Sequence, residues 1–131
     1  MIFNQTADLV LMGVKTQTRR PAKPHDRITI YKASKNRWVK CLFNNQMNRS
    51  RYQVGKTYAV QVGRGRKGIG RILVTNLRLE HLEAISHADA IAEGFMSVDE
   101  FKETWDRLYP RALITNPKVV VIEFELVKVG R

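Results

Sequence analysis

Several residue types are scarce in this chain of 131 residues, and each shortage excludes a class of site. The single cysteine, Cys41, excludes an internal disulfide and has no second cysteine or histidine at ligand spacing, so we expect a buried, inert thiol. The three histidines, His25, His81 and His87, are scattered without an HxxH or HxxxH pair. The sequence therefore predicts no metal site and no cofactor.

Long hydrophobic runs are also missing. No stretch approaches the roughly 18 consecutive apolar residues of a membrane span. The first five residues lack the charged start and apolar run of a signal peptide. We therefore expect a cytoplasmic protein without a membrane partner. With 44% hydrophobic and 27% charged residues, the chain is predicted to form one globular domain over residues 1–131.

Acidic residues are nearly absent from the N-terminal part. Residues 1–71 contain 16 Lys or Arg and only 2 Asp or Glu, whereas residues 72–131 contain 7 and 10, for a net charge of +11. Such a one-sided field attracts polyanions, and nucleic acid is the partner that it favours. A general surface charge without a partner is the alternative. The sequence indicates no protein partner.

The hydrophobic pattern predicts a mixture of short helices and strands. Apolar residues at positions 3, 7, 10 and 11 predict a short helix with Asn4 or Thr6 as its N-cap and Gly13 as its left-handed C-cap residue. An extended segment over residues 16–20 is predicted to stop at Pro21. Residues 22–54 are interpreted as a basic, partly ordered excursion. Further strands are predicted over residues 57–62, 69–74 and 119–127. Two helices are predicted between the last two of these strands, one capped by Ser86 and the other by Ser97.

The loop Gly63-Arg64-Gly65-Arg66-Lys67-Gly68 matches the dinucleotide pattern G-x-G-x-x-G. That motif must open a helix, whereas the residues that follow here have the pattern of a strand, so the match is a coincidence. Either the loop brings its amides and cations to phosphates, or it is a plain hairpin turn with solvated charges.

Lys15, Thr16, Thr18, Arg19 and Arg20 follow Gly13 closely, and this cluster of an amine, hydroxyls and guanidiniums suits an anion or a carbonyl. From the residues alone, a solvated strand surface is the alternative. Lys15 and Thr18 are three residues apart and would lie on opposite faces of a regular strand. A common site therefore requires Lys15 to lie in the turn that follows Gly13.

This arrangement resembles the ASCH domain of the PUA-like superfamily. The resemblance rests on residues 13–20, Tyr58-Ala59-Val60-Gln61-Val62-Gly63-Arg64-Gly65, Glu93-Gly94-Phe95, Phe101, Trp105 and Val121-Ile122-Glu123-Phe124. It implies an α+β fold, a PUA-like mixed β-barrel of about five to six strands with flanking helices. We expect the helices to pack on the barrel through Ile91, Phe101 and Trp105.

The resemblance also implies a pocket at the Lys-Thr-x-Thr-x-Arg segment. Some members hydrolyse N4-acetylcytidine to cytidine and acetate with a lysine, a threonine and a glutamate, which correspond here to Lys15, Thr18 and Glu93 as the catalytic residues. Other members are associated with RNA binding, and a ribonuclease activity has been connected with the family. A metal-free hydrolase for an acylated cytidine or RNA nucleobase, a non-catalytic RNA-binding module and a ribonuclease all remain open.

The proposed trio has a chemical logic. A threonine hydroxyl is a weak nucleophile and needs a base, and an amine acts as that base only where burial or nearby cations favour its neutral form. Arg19 and Arg20 supply such cations beside Lys15. Glu93 can pass a proton to the leaving amine. Read alone, Glu93 is a surface carboxylate at the helix end where the dipole prefers cations.

Further residues are candidates for contacts with substrate or RNA. They are polar or basic and come from the motif and from the glycine-rich hairpin: Thr16, Arg19, Arg20, Arg64, Arg66, Lys67 and Arg71. In the excursion, Tyr31 and Trp38 lie among lysines and arginines and are suited to stacking on unpaired bases. The alternative is that Trp38 is a buried residue that fills the core of the excursion, a core plug in that sense.

Overall fold

The structure is a computed structural model that describes residues 1–130. Its helices are α1 (Ala7–Leu11), α2 (His87–Ala92), α3 (Val98–Leu108) and α4 (Ala112–Thr115), with a 3-10 turn at Leu82–Ala84. Its strands are β1 (Gln17–Pro21), β2 (Asp26–Ser34), β3 (Arg37–Asn44), β4 (Arg49–Gln53), β5 (Thr57–Val60), β6 (Gly70–His81) and β7 (Lys118–Val129).

The strands form two antiparallel sheets, which confirms the α+β class. One sheet has the order β1-β7-β6-β5 and the other has the order β2-β3-β4. Leu42 of β3 joins Val74, Leu77, Val120 and Ile122 of the larger sheet in one core, so the sheets pack face to face in a barrel-like arrangement. The seven strands exceed the expected five to six because residues 22–54, interpreted as partly ordered, form a sheet of their own.

Strand β7 is buried on both faces. Val119 and Val121 pack with the helices, whereas Val120 and Ile122 pack toward the smaller sheet. Because neighbouring strand residues point to opposite faces, a run of buried residues arises only where both faces are covered. Beyond Phe124 the strand is no longer packed on both faces, and residues 127–129 are exposed.

The two serine-capped helices form as expected, with one correction. The Ser86 hydroxyl accepts from the Asp89 N–H at 3.1 Å in a complete capping box, and the Ser97 hydroxyl accepts from the Glu100 N–H. The expectation that Ile91 packs on the sheet is wrong, since its side chain is 45% exposed. In this short helix Ala90 occupies the buried position, and Ile91 is rotated about 100° further around the axis.

The turn between α1 and β1 places Lys15 outside the strand. Gly13 has the left-handed φ of +73°, and the N–H groups of Val14 and Lys15 both donate to the Leu9 carbonyl at 3.0 and 3.1 Å. Thr16 then donates to the Ala92 carbonyl at the end of α2 and accepts from the Phe124 N–H of β7. Lys15 therefore lies in the turn after Gly13, as a common site with Thr18 requires.

Trp105 and Leu108 lie on the same helix and differ in burial, which provides a test of the helix packing. Trp105 is 5% exposed and Leu108 is 66% exposed. We expect Trp105→Ala to lower the free energy of unfolding by about 3 to 5 kcal/mol, through lost burial and the cavity left behind. Leu108→Ala, the matched control, is expected to change it by about 0.5 kcal/mol or less. Urea denaturation measures both, and equal effects would contradict this packing.

Candidate functional site

A cleft of about 810 Å³ lies along the outer edge of β1. The N-terminal residues 2–6 form one wall and α3 forms the opposite wall, while residues 18–20 of β1 and the end of α2 lie between them. Strand β1 is an edge strand of its sheet, so its outer side has no neighbouring strand. With Val62, the cleft therefore brings residues from five parts of the sequence around an unpaired strand edge.

Lys15 and Glu93 form a buried ion pair in this cleft. The Lys15 Nζ contacts the Glu93 carboxylate and also donates to the Glu93 backbone carbonyl at 2.9 Å. Lys15 is 5% exposed and Glu93 is 3% exposed. Removing two charges from water is costly, and a hydrophobic pair is often no less stable, so the pair is not explained by stability alone.

Close packing of three chain segments holds this pair together. Glu93 is the C-terminal cap of α2, and Gly94 follows with a φ of +96°. A Cβ at Gly94 would lie 2.9 Å from the Leu9 Cδ1 and 3.7 Å from the Lys15 Cβ. Glycine therefore provides both the left-handed turn and the close approach of α1, α2 and Lys15.

The pKa of Glu93 is raised above its ordinary value. Burial is the main cause, because it penalises the carboxylate; the ammonium of Lys15 and the backbone and charge of Arg19 oppose the rise. A raised pKa favours the protonated acid. The carboxyl group can therefore hold a proton in this cleft and release it to a more basic atom.

Thr18 is 7% exposed and lines the same cleft. It lies opposite Ile122 in the β1–β7 register, so its side chain shares a face with Ile122, while Gln17 and Arg19 point to the other face. Since Thr16 accepts from Phe124, the alternation of antiparallel pairs directs the backbone groups of Gln17 and Arg19 outward from the sheet edge. The structure thus brings the three residues of the predicted trio into the lining of one cleft.

Arg19 lies at the centre of an ion-pair network. Its side chain is fully buried, contacts Glu80, and lies 3.1 Å from Asp89. Arg78 also binds Asp89, at 3.0 Å, and the Gln17 side chain donates to Asp89 at 3.0 Å. The guanidinium expected to meet substrate or RNA is thus engaged within the protein, where it joins α2 to β1 and β6.

Arg20 points into the cleft and keeps one donor free. Its Nη2 donates to the Ile2 carbonyl at 2.6 Å, and its guanidinium lies 5.5 Å from the centre of the Phe3 ring. Its buried Nε has no hydrogen-bond partner among residues 1–130. An oxygen of a bound ligand would satisfy this donor.

The other candidate residues lie outside the cleft lining. The Thr16 side chain is exposed, and the Arg71 guanidinium donates to Thr57 on the neighbouring strand. Arg64, Arg66 and Lys67 are exposed in the loop between β5 and β6, and a strand rather than a helix follows this loop. Val62, just before this loop, does line the cleft, so these cations lie near its rim.

Aromatic residues of the cleft were missed as site residues. Phe95, Phe101, Trp105 and Tyr109 line it, although the sequence placed Phe101 and Trp105 only in the core. Their helical spacing identifies a common face but does not reveal that one end of that face borders a cavity. Arg107 of α3 also lines the cleft and gave no sequence signal.

Within residues 1–130 no group of three or more His, Cys, Asp or Glu side chains is arranged to hold a metal ion. None of the helices there has both the length and the apolar character needed to cross a membrane.

Comparison with known proteins gives a clear result at the level of structure. No family model and no curated protein matches the sequence. The crystal structure of an Enterococcus faecalis V583 protein of the DUF984 family superposes with a TM-score of 0.67 at 18% identity, over 96% of this chain and 69% of that one. The ASCH domain from Lactobacillus crispatus JV V101 superposes with a TM-score of 0.66 at 19% identity, over 93% and 70%.

The chain has an ASCH-like fold. This finding confirms the resemblance drawn from the sequence, because the similarity extends over nearly the whole chain. At these low identities the ASCH-like fold is what the comparison establishes, and chemistry has to be argued from the cleft itself.

The Asp89 carboxylate gives a pH test of the network that holds α2. Partial burial opposes its ionisation, but hydrogen bonds from Gln17 and Ser86 and the charge of Arg78 outweigh it and lower the pKa to about 2 from 3.8. Because the pKa is lower in the folded protein, the ionised Asp89 carboxylate stabilises the fold above pH 3.8, and this contribution is lost as the pH falls toward 2. We expect Asp89→Asn to cost about 1 kcal/mol at neutral pH, after allowing for solvent screening.

Thermal unfolding between pH 2 and 7 measures this effect. Wild-type stability should decrease more steeply than that of Asp89→Asn as the pH falls through the interval between 3.8 and about 2. Asp106→Asn, at an exposed position on α3, is the matched control and should reproduce the wild-type profile. Parallel profiles for wild type and Asp89→Asn would contradict the role of this carboxylate.

Proposed function

We propose that the protein is a hydrolase that removes an acyl group from the exocyclic amine of an N4-acylated cytidine or a related RNA nucleobase. Lys15, Thr18 and Glu93 are its catalytic residues, and it works without a metal or cofactor. The observation that carries this proposal is their burial in the lining of a single cleft. These are the positions that the ASCH resemblance assigns to catalysis.

The first half-reaction transfers the acyl group to the protein. Lys15 first passes its ammonium proton to the Glu93 carboxylate that it contacts. The Thr18 hydroxyl oxygen then attacks the acyl carbon, and its proton passes to the Lys15 amine. The bond from the acyl carbon to N4 then breaks as protonated Glu93 gives its proton to N4. Cytidine leaves and an ester remains on Thr18. Lys15 is now an ammonium and Glu93 a carboxylate.

The second half-reaction restores the starting state. Water attacks the ester carbon and gives a proton to the Glu93 carboxylate, while Lys15 returns its proton to the departing Thr18 oxygen. The carboxylic acid leaves as product. The raised pKa of Glu93 supports this cycle, because burial favours the protonated acid that the first half-reaction needs.

Two features of the cleft suit the rest of the substrate. The free Arg20 Nε is a donor for an acyl oxygen that gains negative charge during the attack. The volume of about 810 Å³ lies within the range of about 300 to 1,000 Å³ for small-molecule sites. The rings of Phe101 and Trp105 provide an apolar wall for a flat pyrimidine.

Substitution of the trio tests the hydrolase. We expect kcat/KM for N4-acetylcytidine to fall by about 100-fold or more in each of Lys15→Ala, Thr18→Ala and Glu93→Gln. Each variant removes either the nucleophile or a group that transfers a proton. The losses should not add in double variants, because the three residues act as a unit. Release of cytidine, followed by liquid chromatography, measures the rate.

Thr16→Ala provides the matched control for Thr18→Ala. It removes the exposed threonine of the same motif and should retain the wild-type rate. Circular dichroism confirms that each variant is folded. Absence of turnover by the wild type, or a full rate in Thr18→Ala, would show that the amidohydrolase proposal is wrong.

RNA binding without catalysis is the second candidate, and a ribonuclease that uses the same basic groove is the third. The observation that favours an RNA ligand is the position of the cationic loop, Arg64, Arg66 and Lys67, next to the cleft-lining Val62. Burial, Arg20 and Arg71 all lower the pKa of the Met1 ammonium, so both guanidiniums add positive charge near the N-terminus. A free nucleoside carries no phosphate for such cations, whereas an RNA strand carries many.

Salt dependence separates the RNA candidates from the nucleoside hydrolase. Each neutralised phosphate contributes about −0.7 to the log–log slope of single-stranded RNA affinity against salt. The triple variant Arg64→Gln, Arg66→Gln, Lys67→Gln should reduce this slope by about 2 while leaving nucleoside hydrolysis nearly unchanged. Fluorescence anisotropy measures the slope. Salt-independent binding, or no binding at low salt, would contradict an RNA role for the loop.

A further inference from the structure

The β2–β3 hairpin extends beyond the core of the protein. All eight residues from 31 to 38 are exposed, although β2 and β3 remain paired across this region. Closer to the base, Leu42 is fully buried and the Lys40 Nζ donates to the Asn76 side chain of β6 at 2.9 Å. The hairpin is therefore anchored at one end and presents its other end to solvent.

Two aromatic side chains lie on the exposed part of this hairpin. Trp38 is 66% exposed and Tyr31 is 41% exposed, so Trp38 does not act as a core plug. Trp38 pairs with Lys32 across the strands, and the Lys32 Nζ lies 5.8 Å from the centre of its ring. Ile30, on the same face as Lys32, is 61% exposed as well. A large apolar and aromatic surface is thus left uncovered at a cationic site.

The charge around these rings has one sign. Between residues 27 and 79 the sequence has 13 Lys or Arg and no Asp or Glu. Lys32, Lys35 and Arg37 lie within the exposed end of the hairpin itself. A partner must therefore combine negative charge with flat apolar groups, and unpaired bases on a phosphodiester strand have both.

We propose that the β2–β3 hairpin is a binding site for single-stranded nucleic acid, in which a base stacks on Trp38 and Lys32, Lys35 and Arg37 contact the adjacent phosphates. Tyr31 lies on the opposite face of the hairpin and is not required for the stack on Trp38. A duplex offers no free base face, so it is expected to bind this site only through charge. The site shares no residue with the cleft and does not rest on the proposed hydrolysis.

Tryptophan fluorescence reports directly on this stack. The chain has two tryptophans, and Trp105 is buried, so the solvent-exposed signal comes from Trp38. We expect unstructured oligouridine to quench this signal. Trp38→Ala lacks this tryptophan, so fluorescence anisotropy of a labelled oligouridine measures its binding, which should be about 5- to 150-fold weaker than that of the wild type. Oligothymidine in a parallel titration establishes whether the strand is RNA or DNA. Trp38 is exposed, so its replacement should leave the fold intact.

Two double variants that remove the same charge distinguish the effect of the hairpin cations on binding from the effect of the net charge of the protein. Lys35→Gln with Arg37→Gln should weaken binding and reduce the salt slope by about 1.4, which corresponds to two phosphate contacts. Lys118→Gln with Lys128→Gln removes the same charge from exposed positions on β7 and should leave both quantities close to wild type. Equal effects of the two double variants would overturn the proposal.

Two further outcomes would also overturn it. One is unchanged oligouridine affinity in Trp38→Ala. The other is binding of heparin, a polyanion without bases, in the absence of binding to either oligonucleotide. Hydrolysis of N4-acetylcytidine by Trp38→Ala at the wild-type rate keeps the two proposals separate, since loss of strand binding leaves the cleft chemistry intact. A wild type that binds oligouridine through Trp38 but cleaves no acylated cytidine supports this site and contradicts only the hydrolase.

Discussion

The buried charge of Arg19 is the constraint on which the site depends. A guanidinium without access to water needs anionic partners, and here they come from the start of α2 and from β6, as Asp89 and Glu80. Meeting this requirement fixes α2 against the edge strand β1. The far end of the same short helix then carries Glu93 to Lys15, in the turn before β1. An interaction on one face of β1 thereby positions the ion pair in the cleft along its edge.

Most of the fold was predictable because its signals are local. The Ser86 and Ser97 caps, the turn at Gly13 and the β5–β6 hairpin depend on residues close in sequence, and the structure contains all of them. The sheet of residues 22–54 was not predicted as such. Its exposed hairpin lacks the apolar alternation that identifies a half-buried strand, and pairing between β2 and β3 alone holds it extended.

The candidate site was predictable only in part, for a different physical reason. Lys15, Thr18 and Glu93 were found through the resemblance, whereas composition and spacing left each of them open to a surface role. Arg19 was indistinguishable from Arg20 in sequence, yet strand alternation sends one to a buried network and the other to the cleft. Trp105 was expected to be buried and is, but a buried residue that also borders a cavity has no distinct pattern in a sequence.

The free edge of β1 has a consequence for association as well as for chemistry. An exposed strand edge with unused N–H and C=O groups invites a strand from another molecule to pair with it, which leads to aggregation. Here residues 2–6 and α3 form walls beside that edge, and Pro21 ends the strand without a donor. A strand that paired with this edge would have to enter between these walls. The segments that shape the cleft for a small molecule therefore also restrict the approach of a second copy of the chain to the free edge.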